Sequence, residues 1–263
     1  MELTQDWHIH THRSKCGQPD NTVAAIVRKL DARGGLQFAG ISDHINVPEE
    51  GEWFIDVIAQ NRRDLEALTP ACRVLIGTEA TMLDPATCAL DAELAAGLDF
   101  VLVACNHYHL DVVENPAEET SASYADHYLD MVAGALELGF VDAVTHPFLH
   151  DKLGPATAPD ILAHYDEGRL ADLLREAARR GVAFELNPYR VRYAMDWFRE
   201  LVQEGRRQGT QFALGSDAHN LAAVAYPVEG GCVPETLFDA LGLKASDLKW
   251  PRGIRPASPD ASA

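Results

Sequence analysis

Short apolar runs alternate along this chain with longer stretches that have the apolar periodicity of an amphipathic helix. The apolar runs are rich in Val, Ile, Leu or Phe and lack an alternating polar face, which is typical of parallel strands buried on both sides. They cover residues 6–10, 38–42, 74–78, 100–104, 141–145, 182–186 and 212–215. The pattern therefore predicts seven parallel strands.

The stretches between the strands predict helices, most of which end at a glycine in its role as a helix stop signal. The predicted helices cover residues 21–34, 55–68, 90–97, 124–139, 161–180, 196–209 and 234–243. No GxGxxG follows the first strand, and no GxxxxGK[ST] occurs, so the common nucleotide-binding motifs of open sheets are missing. Regular alternation of strand and helix favours an α/β fold, a closed or nearly closed parallel barrel. A length of 263 residues suits one such domain. We expect it over residues 1–250, with a frayed tail at 251–263.

The charge of the chain restricts its partners. Lys and Arg total 22 and Asp and Glu total 40, which gives a formal net charge of −18. No Lys or Arg lies between Arg73 and Lys152, a stretch that contains fourteen acidic residues. Binding along an extended nucleic acid needs clustered cations, so this class of partner is not expected. A small phosphate held in one pocket remains compatible with the charge.

The amino-terminal residues have neither the basic nor the apolar region of a signal peptide. No apolar run approaches the roughly 18 residues of a membrane span, so no membrane partner is expected. The five cysteines have no regular spacing. These features predict a cytoplasmic protein with reduced thiols, and they leave its oligomeric state open.

Each of the seven predicted strands carries polar residues at its carboxyl end. These residues are His8 and His10, Asp43 and His44, Glu79, Asn106 and His107, His146, Asn187, and Asp217 and His219. The carboxyl ends of parallel barrel strands converge on one face, where active sites are built. Imidazole and carboxylate are ligands of zinc, manganese and iron. There are too many candidate ligands for one ion, so the sequence predicts a site for two or three divalent metal ions.

Six segments resemble, in order, the motifs of the PHP superfamily, which is named for polymerase and histidinol phosphatase. The segments are Asp6-Trp7-His8-Ile9-His10-Thr11, Gly40-Ile41-Ser42-Asp43-His44, Gly77-Thr78-Glu79, Asn106-His107, Thr145-His146-Pro147 and Gly215-Ser216-Asp217-Ala218-His219. The resemblance covers residues 6–219. It implies a distorted, TIM-like seven-stranded barrel with a trinuclear metal site that hydrolyses phosphoesters.

The resemblance also implies how the ligands are shared. One metal is expected on His8, His10, Glu79 and Asp217, a second on Glu79, His107 and His146, and a third on His44 and His219. The chain departs from the family pattern at Cys16, where many members have a histidine that binds the third metal. A thiolate also binds zinc or iron, so Cys16 is a candidate ligand. The alternative is a small buried side chain.

Hydrolysis of a phosphoester at neutral pH needs a hydroxide and positive charge near the phosphoryl oxygens. Two metal ions about 3.5–4 Å apart supply both. We expect a hydroxide bridging the metals to attack the phosphorus, and Glu79 to fix the spacing of the ions. Asp217 is expected to accept a proton from the attacking water. His219 or His44, through the third ion, is expected to bind a phosphate oxygen or to steady the leaving group.

Three further residues are candidates for binding the substrate. Arg190 and Arg192 follow the sixth strand and could close a fork on a phosphate; the alternative is a pair of surface ion pairs. His109 lies near the end of the fourth strand, as a substrate contact, a metal ligand or an ordinary loop histidine. The loops at residues 111–123 and 187–192 are expected to set specificity, the first by lying over the active face.

These observations favour a metal-dependent phosphoesterase that acts on a small phosphorylated metabolite and is similar to histidinol-phosphate phosphatase. A phosphodiesterase or exonuclease acting on nucleotides is an alternative within the same class. An amidohydrolase also uses a first-strand HxH motif, but it has eight strands and often a bridging lysine, whereas Glu79 lies in a stretch without lysine. A metal-binding barrel without catalysis is the remaining alternative.

Overall fold

The computed structural model describes residues 2–149, 158–227 and 233–254. Within them the strands are β1 (Gln5–Ile9), β2 (Phe38–Ile41), β3 (His44–Ile45), β4 (Arg73–Ile76), β5 (Thr78–Asp84), β6 (Thr87–Cys88), β7 (Val101–Ala104), β8 (Ala143–Val144), β9 (Ala183–Leu186) and β10 (Phe212–Leu214). The α-helices are α1 (Val23–Arg33), α2 (Gly51–Glu66), α3 (Ala92–Ala95), α4 (Ser121–Glu137), α5 (Glu167–Arg180), α6 (Pro188–Val191), α7 (Met195–Gln208) and α8 (Pro234–Ala240). Short 3-10 turns lie at Pro48–Glu50, Ala158–His164 and Ala245–Asp247. Among the described residues, every helix is too short or too polar to span a bilayer.

The strands form two parallel ladders that together surround a barrel. One ladder has the order β1-β2-β4, and the other has the order β10-β9-β8-β7-β5-β3. Since β2 leads into β3 and β4 leads into β5, the ladders share two strand paths, and seven paths surround the barrel. Between β1 and the segment after β10, the backbone pairing is one isolated bridge of Ile9 with Ala218, in which the His10 N–H donates to Ala218 O at 2.9 Å. The predicted α/β fold, a distorted seven-stranded parallel barrel, is confirmed.

An apolar cluster fills the barrel below the strand ends. It consists of Trp7, Phe38, Leu75, Phe100, Leu102, Ala143, Ala183 and Ala213. Because side chains from all seven strand paths meet in it, the cluster occupies the barrel interior. The rings of Phe38 and Phe100 meet Trp7 edge to face, with centroids 5.1 and 5.6 Å away. This aromatic packing lies directly below the polar residues at the carboxyl ends of the strands and stabilises that part of the barrel.

The helix predictions need three corrections. The helix predicted over residues 161–180 is a 3-10 turn followed by α5, because the Asp166 side chain caps α5 by accepting the Arg169 N–H at 2.8 Å. The helix predicted over residues 90–97 is only the four residues of α3. The helix predicted over residues 21–34 begins only at Val23, because Thr22 caps it and the Asn21 amide donates instead to the backbone oxygen of His10.

The loop at residues 111–123 was expected to lie over the active face, but none of its residues lines the cavity there. It packs beside β5, where the Glu114 N–H donates to Leu83 O at 2.7 Å, and Ser121 already begins α4. At the other end of the chain, Pro251 is buried and Ile254 packs against the interior cluster. The rest of the predicted tail lies outside the described residues.

Candidate metal centre

Glu79 lies at the middle of the carboxyl-end face, one residue into β5, and its carboxylate is buried. Gly77 makes this position possible, since a Cβ there would lie 2.4 Å from the backbone oxygen of Phe100. The two carboxylate oxygens of Glu79 face different imidazoles. Oε1 lies 2.8 Å from His146 Nε2 and 3.5 Å from His107 Nε2.

The other oxygen of Glu79, Oε2, faces a second set of rings. It lies 3.1 Å from His8 Nε2, 3.4 Å from His10 Nε2 and 3.2 Å from His44 Nδ1. Asp217 Oδ1 closes this set, at 3.6 and 3.4 Å from the same nitrogens of His8 and His10. A carboxylate with ring nitrogens grouped at each oxygen has the geometry of a bridging ligand.

Three groups of potential ligand atoms are compact enough to hold an ion, with all atoms of a group within 4.8 Å of one another. They are His8, His10, Glu79 and Asp217; His44, Glu79 and His107; and His10, Cys16, His44 and His219. The first matches the set implied for the first metal. The second contains His44 and His107 with Glu79, whereas His146, implied for the second metal, contacts Glu79 Oε1 but belongs to none of the three groups. The third brings Cys16 next to three imidazoles.

Hydrogen bonds at Nδ1 orient three of these imidazoles so that Nε2 faces the candidate metal centre. His8 Nδ1 lies 2.8 Å from Glu185 Oε1, and His219 Nδ1 donates to the backbone oxygen of Asp217 at 2.9 Å. His107 Nδ1 lies 2.9 Å from the Thr81 hydroxyl. A proton held on Nδ1 leaves a lone pair on Nε2, which is the arrangement of metal-binding histidines.

Ring nitrogens that lack a suitable hydrogen-bond partner also indicate that this group of ligands fits cations. Nε2 of His8 faces Nε2 of His10 at 3.0 Å, although two lone pairs repel each other unless a proton or a cation lies between them. The buried Nδ1 of His44 forms no hydrogen bond, although Glu79 Oε2 lies only 3.2 Å away. Imidazole, carboxylate and thiol ligands together suit zinc or iron, and the described residues therefore fit divalent metal ions.

The charges of the centre favour the same interpretation. Burial lowers the pKa of His8, but three carboxylates outweigh it and raise that pKa well above its ordinary value; they belong to Glu79, Glu185 and Asp217. Burial raises the pKa of Glu79, yet the surrounding imidazoles, His8 first, hold it well below its ordinary value. Burial keeps the pKa of His44 well below its ordinary value. The central carboxylate is therefore ionised at neutral pH, as a ligand must be.

Two of the predicted ligands have backbones in the left-handed region, with φ of 29° at His146 and 53° at Asp217. Such a conformation costs a non-glycine residue on the order of 1–3 kcal/mol and clusters at functional sites. Hydrogen bonds hold the peptide groups on both sides of His146 in this conformation. Its N–H donates to Glu185 Oε2 at 2.6 Å, and its backbone oxygen accepts from the Asn106 amide at 2.9 Å. The left-handed backbone at Asp217 also means that residues 217–219 do not continue β10 as an extended strand.

A cavity of about 550 Å³ opens above this centre. Its wall includes Lys15, Cys16, His44, Asn46, Glu79, Asn106, His107, His109, Leu110, His146, Leu149, Arg190, Asp217 and His219. His8 and His10 are fully buried. No described residue from the loop at 111–123 lines it, so that loop does not shape this cavity.

The two arginines predicted to bind phosphate point to different places. Arg190 lines the cavity. Arg192 does not, because its guanidinium lies over the ring of Tyr193, 5.0 Å from the centroid. The expected fork of two arginines is therefore not formed. His109 lines the cavity, with its ring 5.3 Å from that of His107.

Glu185 is the residue of the centre that the sequence did not indicate. Its position inside β9 looks like an ordinary strand interior, and the polar strand end that attracted attention was Asn187. A charged residue in an otherwise apolar strand was the available signal, since buried charges need partners. Asp43 has a structural role instead, accepting the Thr11 N–H at 2.6 Å and the Asn61 amide at 2.7 Å.

The fold and the ligand geometry together define an α/β barrel with a candidate metal centre at the carboxyl ends of its strands. Comparison with solved structures finds the same fold in histidinol phosphate phosphatase from Lactococcus lactis subsp. lactis Il1403, which was solved with zinc, L-histidinol and phosphate. That chain is 17% identical with a TM-score of 0.58, and the match covers 92% of this chain and 94% of the other. The putative histidinol phosphatase from Listeria monocytogenes is 11% identical with a TM-score of 0.57, covering 86% and 98% of the two chains.

These likenesses confirm the histidinol-phosphatase-like fold that the PHP motifs implied. A scan against protein-family models finds no match, and neither does a search of curated proteins.

Proposed function

We propose that this protein is a metal-dependent phosphoric monoester hydrolase that acts on a small phosphorylated metabolite. The observation that carries the proposal is the bridging geometry of Glu79, whose two oxygens each face their own group of imidazoles at the floor of a cavity. Paired ion sites on one carboxylate are typical of enzymes that transfer phosphoryl groups.

The ligand assignment follows the three compact groups. His8, His10, Glu79 and Asp217 would hold one ion, and Glu79 with His107, joined by His44 or His146, would hold a second. Cys16 and His219, with whichever of His10 and His44 is not bound to another ion, would hold a third, since a neutral imidazole has one lone pair to give. When bound, divalent ions lower the pKa of water and neutralise charge on phosphoryl oxygens. Zinc, manganese and iron(II) all suit these ligands, and zinc is the ion of the Lactococcus lactis structure.

Side chains that line the cavity would accept the proton and contact the substrate. We assign to Asp217 the acceptance of a proton from the attacking water, since its carboxylate is 16% exposed and lines the cavity. We assign to His219, which is more exposed on the same wall, contact with the leaving-group side of the substrate. Arg190 is assigned to a phosphate oxygen and His109 to the rest of the substrate. Arg192 has no assigned contact.

The cavity volume suits a metabolite rather than a polymer, because ligand pockets of about 300–1,000 Å³ enclose small molecules. Histidinol phosphate is the first substrate to test, since histidinol and phosphate accompany the Lactococcus lactis enzyme. We also propose a cytoplasmic location, which the four free cysteines of the described residues support.

The test is phosphate release by the purified, metal-depleted protein after loading with zinc, manganese or iron(II) in turn. The substrates are a panel of phosphomonoesters that includes histidinol phosphate, a set of linear and cyclic phosphodiesters, and amide substrates. We expect monoesters to be hydrolysed only by loaded protein. Faster hydrolysis of diesters would move the function to the nucleotide phosphodiesterases, and amide hydrolysis without phosphate release would make the protein an amidohydrolase.

A further inference from the structure

Glu185 contacts two predicted metal ligands at once and is itself 1% exposed. It lies on β9, where it pairs with Ala213 of β10. Its Oε1 lies 2.8 Å from Nδ1 of the His8 ring, and its Oε2 accepts the backbone N–H of His146 at 2.6 Å. The two contacted residues lie on opposite sides of Glu79, since His8 faces Oε2 of Glu79 and His146 faces its Oε1.

Both contacts require an acceptor at position 185. The His146 backbone nitrogen can only donate. His8 can present a lone pair from Nε2 to an ion only if its proton is on Nδ1, and it then donates to Glu185 as well. A carboxylate offers an acceptor oxygen to each donor, whereas an amide offers one oxygen and one NH2 group. A glutamine at this position would therefore leave one of the two donors facing another donor.

The surrounding backbone is shaped to admit this carboxylate. A Cβ on Gly215 would lie 1.7 Å from Glu185 Oε1 and 2.9 Å from the Cβ of His8. A side chain at position 215 would therefore push Glu185 away from His8. The contact with the His146 N–H also helps to hold that residue in its left-handed backbone conformation.

We propose that Glu185 is a positioning residue that fixes the orientation and tautomer of His8 and the backbone of His146, so that one buried carboxylate couples the two ion sites that share Glu79. This inference rests on the proposed metal-dependent function. It concerns binding of the ions, and its test therefore does not depend on turnover of a substrate.

The experiment compares zinc binding to the full chain with that of E185Q, by competition with a chromophoric chelator, using E176Q as the matched control. Glu176 lies on the surface of α5, where it pairs with Arg179. We expect E185Q to bind the weaker of the two ions about 10- to 100-fold less tightly, the usual effect of losing an outer partner of a metal ligand. E176Q should bind as the wild type does.

The tautomer of His8 gives a second readout that a merely structural role would not change. Imidazole 15N spectra of the zinc-loaded wild type should show the His8 proton on Nδ1. A proton on Nε2 of His8 overturns the proposal even if E185Q does not fold. Unchanged zinc affinity in folded E185Q also overturns it and leaves the hydrolase proposal intact. Failure of the wild type to bind zinc, manganese or iron(II) would instead remove the proposed function.

Discussion

Replacing Glu79 by glutamine tests the centre at its shared ligand. The substitution keeps the size of the side chain but turns one acceptor oxygen into an NH2 donor. In the structure that atom would face either the Nε2 atoms of His107 and His146 or those of His8 and His10. One ion site therefore loses its ligand from residue 79 and the other keeps only a neutral oxygen there, while Asp217 remains as the carboxylate of the first group.

The expected magnitude follows from the burial of this carboxylate. Removing one partner from a buried charged set costs about 3–5 kcal/mol. Because each 1.4 kcal/mol is a factor of ten, metal affinity should fall about 10²- to 10⁴-fold. Turnover should fall by orders of magnitude for the same reason, since both ions act on the same phosphoryl group.

Elemental analysis of E79Q after removal of loosely held metal, together with phosphate release under excess metal, measures both effects. The matched control is E176Q, whose surface carboxylate lies far from any ligand group. Thermal unfolding of the metal-free proteins checks that E79Q is folded. Wild-type metal content and rate in folded E79Q would refute the bridging role of Glu79 and the arrangement built on it.

Three other predictions test separate parts of the structure. Arg190→Ala should raise the KM for a phosphomonoester by about 10-fold or more, because a charge-assisted hydrogen bond to the phosphate is lost. Arg192→Ala should leave KM unchanged, since Arg192 stacks on Tyr193 and does not line the cavity. Equal effects in the two variants would contradict the assignment. Cobalt-loaded protein should show a near-ultraviolet thiolate-to-cobalt charge-transfer band that C16S lacks. Because a free thiol is protonated at neutral pH, loading should also release a proton. A band that survives in C16S would exclude this thiol as the ligand. Asp247→Asn should lower the free energy of unfolding by about 1–2 kcal/mol at pH 7, because burial, which raises the pKa of Asp247, is outweighed by hydrogen bonds from Arg206 at 2.5 and 3.1 Å, which lower it. A lowered carboxyl pKa stabilises the fold above pH 3.8, and the effect is lost as the pH falls through the pKa of the folded state, so denaturation at a series of pH values should show the difference between variant and wild type vanish in acid. A difference that persists in acid would indicate lost packing instead.

The barrel and the ligand types could be predicted because both leave a local pattern. Strands buried on both faces are short apolar runs, and six of the seven runs here end in a His, Asp or Glu that can bind a metal, as at Glu79 and His146. The extent of the helices was less predictable. Whether residues 161–180 form one helix or two depends on the Asp166 side chain, whose capping hydrogen bond competes with continuation of the helix.

The positions of the loops could not be predicted from the sequence, for a different reason. Residues 111–123 are acidic and follow a strand end, which suggests a cover for the active face, yet they pack beside β5. Arg190 and Arg192 are two residues apart in the same segment, but only Arg190 lines the cavity, because Arg192 stacks on Tyr193. Such choices depend on which neighbouring surface is available, and no periodicity encodes that.

The sequence by itself determined that seven strands carry imidazole, carboxylate or amide groups to one face, since burial and strand direction follow from the local order of residues. Only the tertiary structure decided which nitrogen of each ring faces inward and which ligands share an oxygen of Glu79. Those properties depend on hydrogen bonds between residues distant in the chain, such as His8 and Glu185, which are 177 positions apart. Contacts of this kind exist only once the barrel closes.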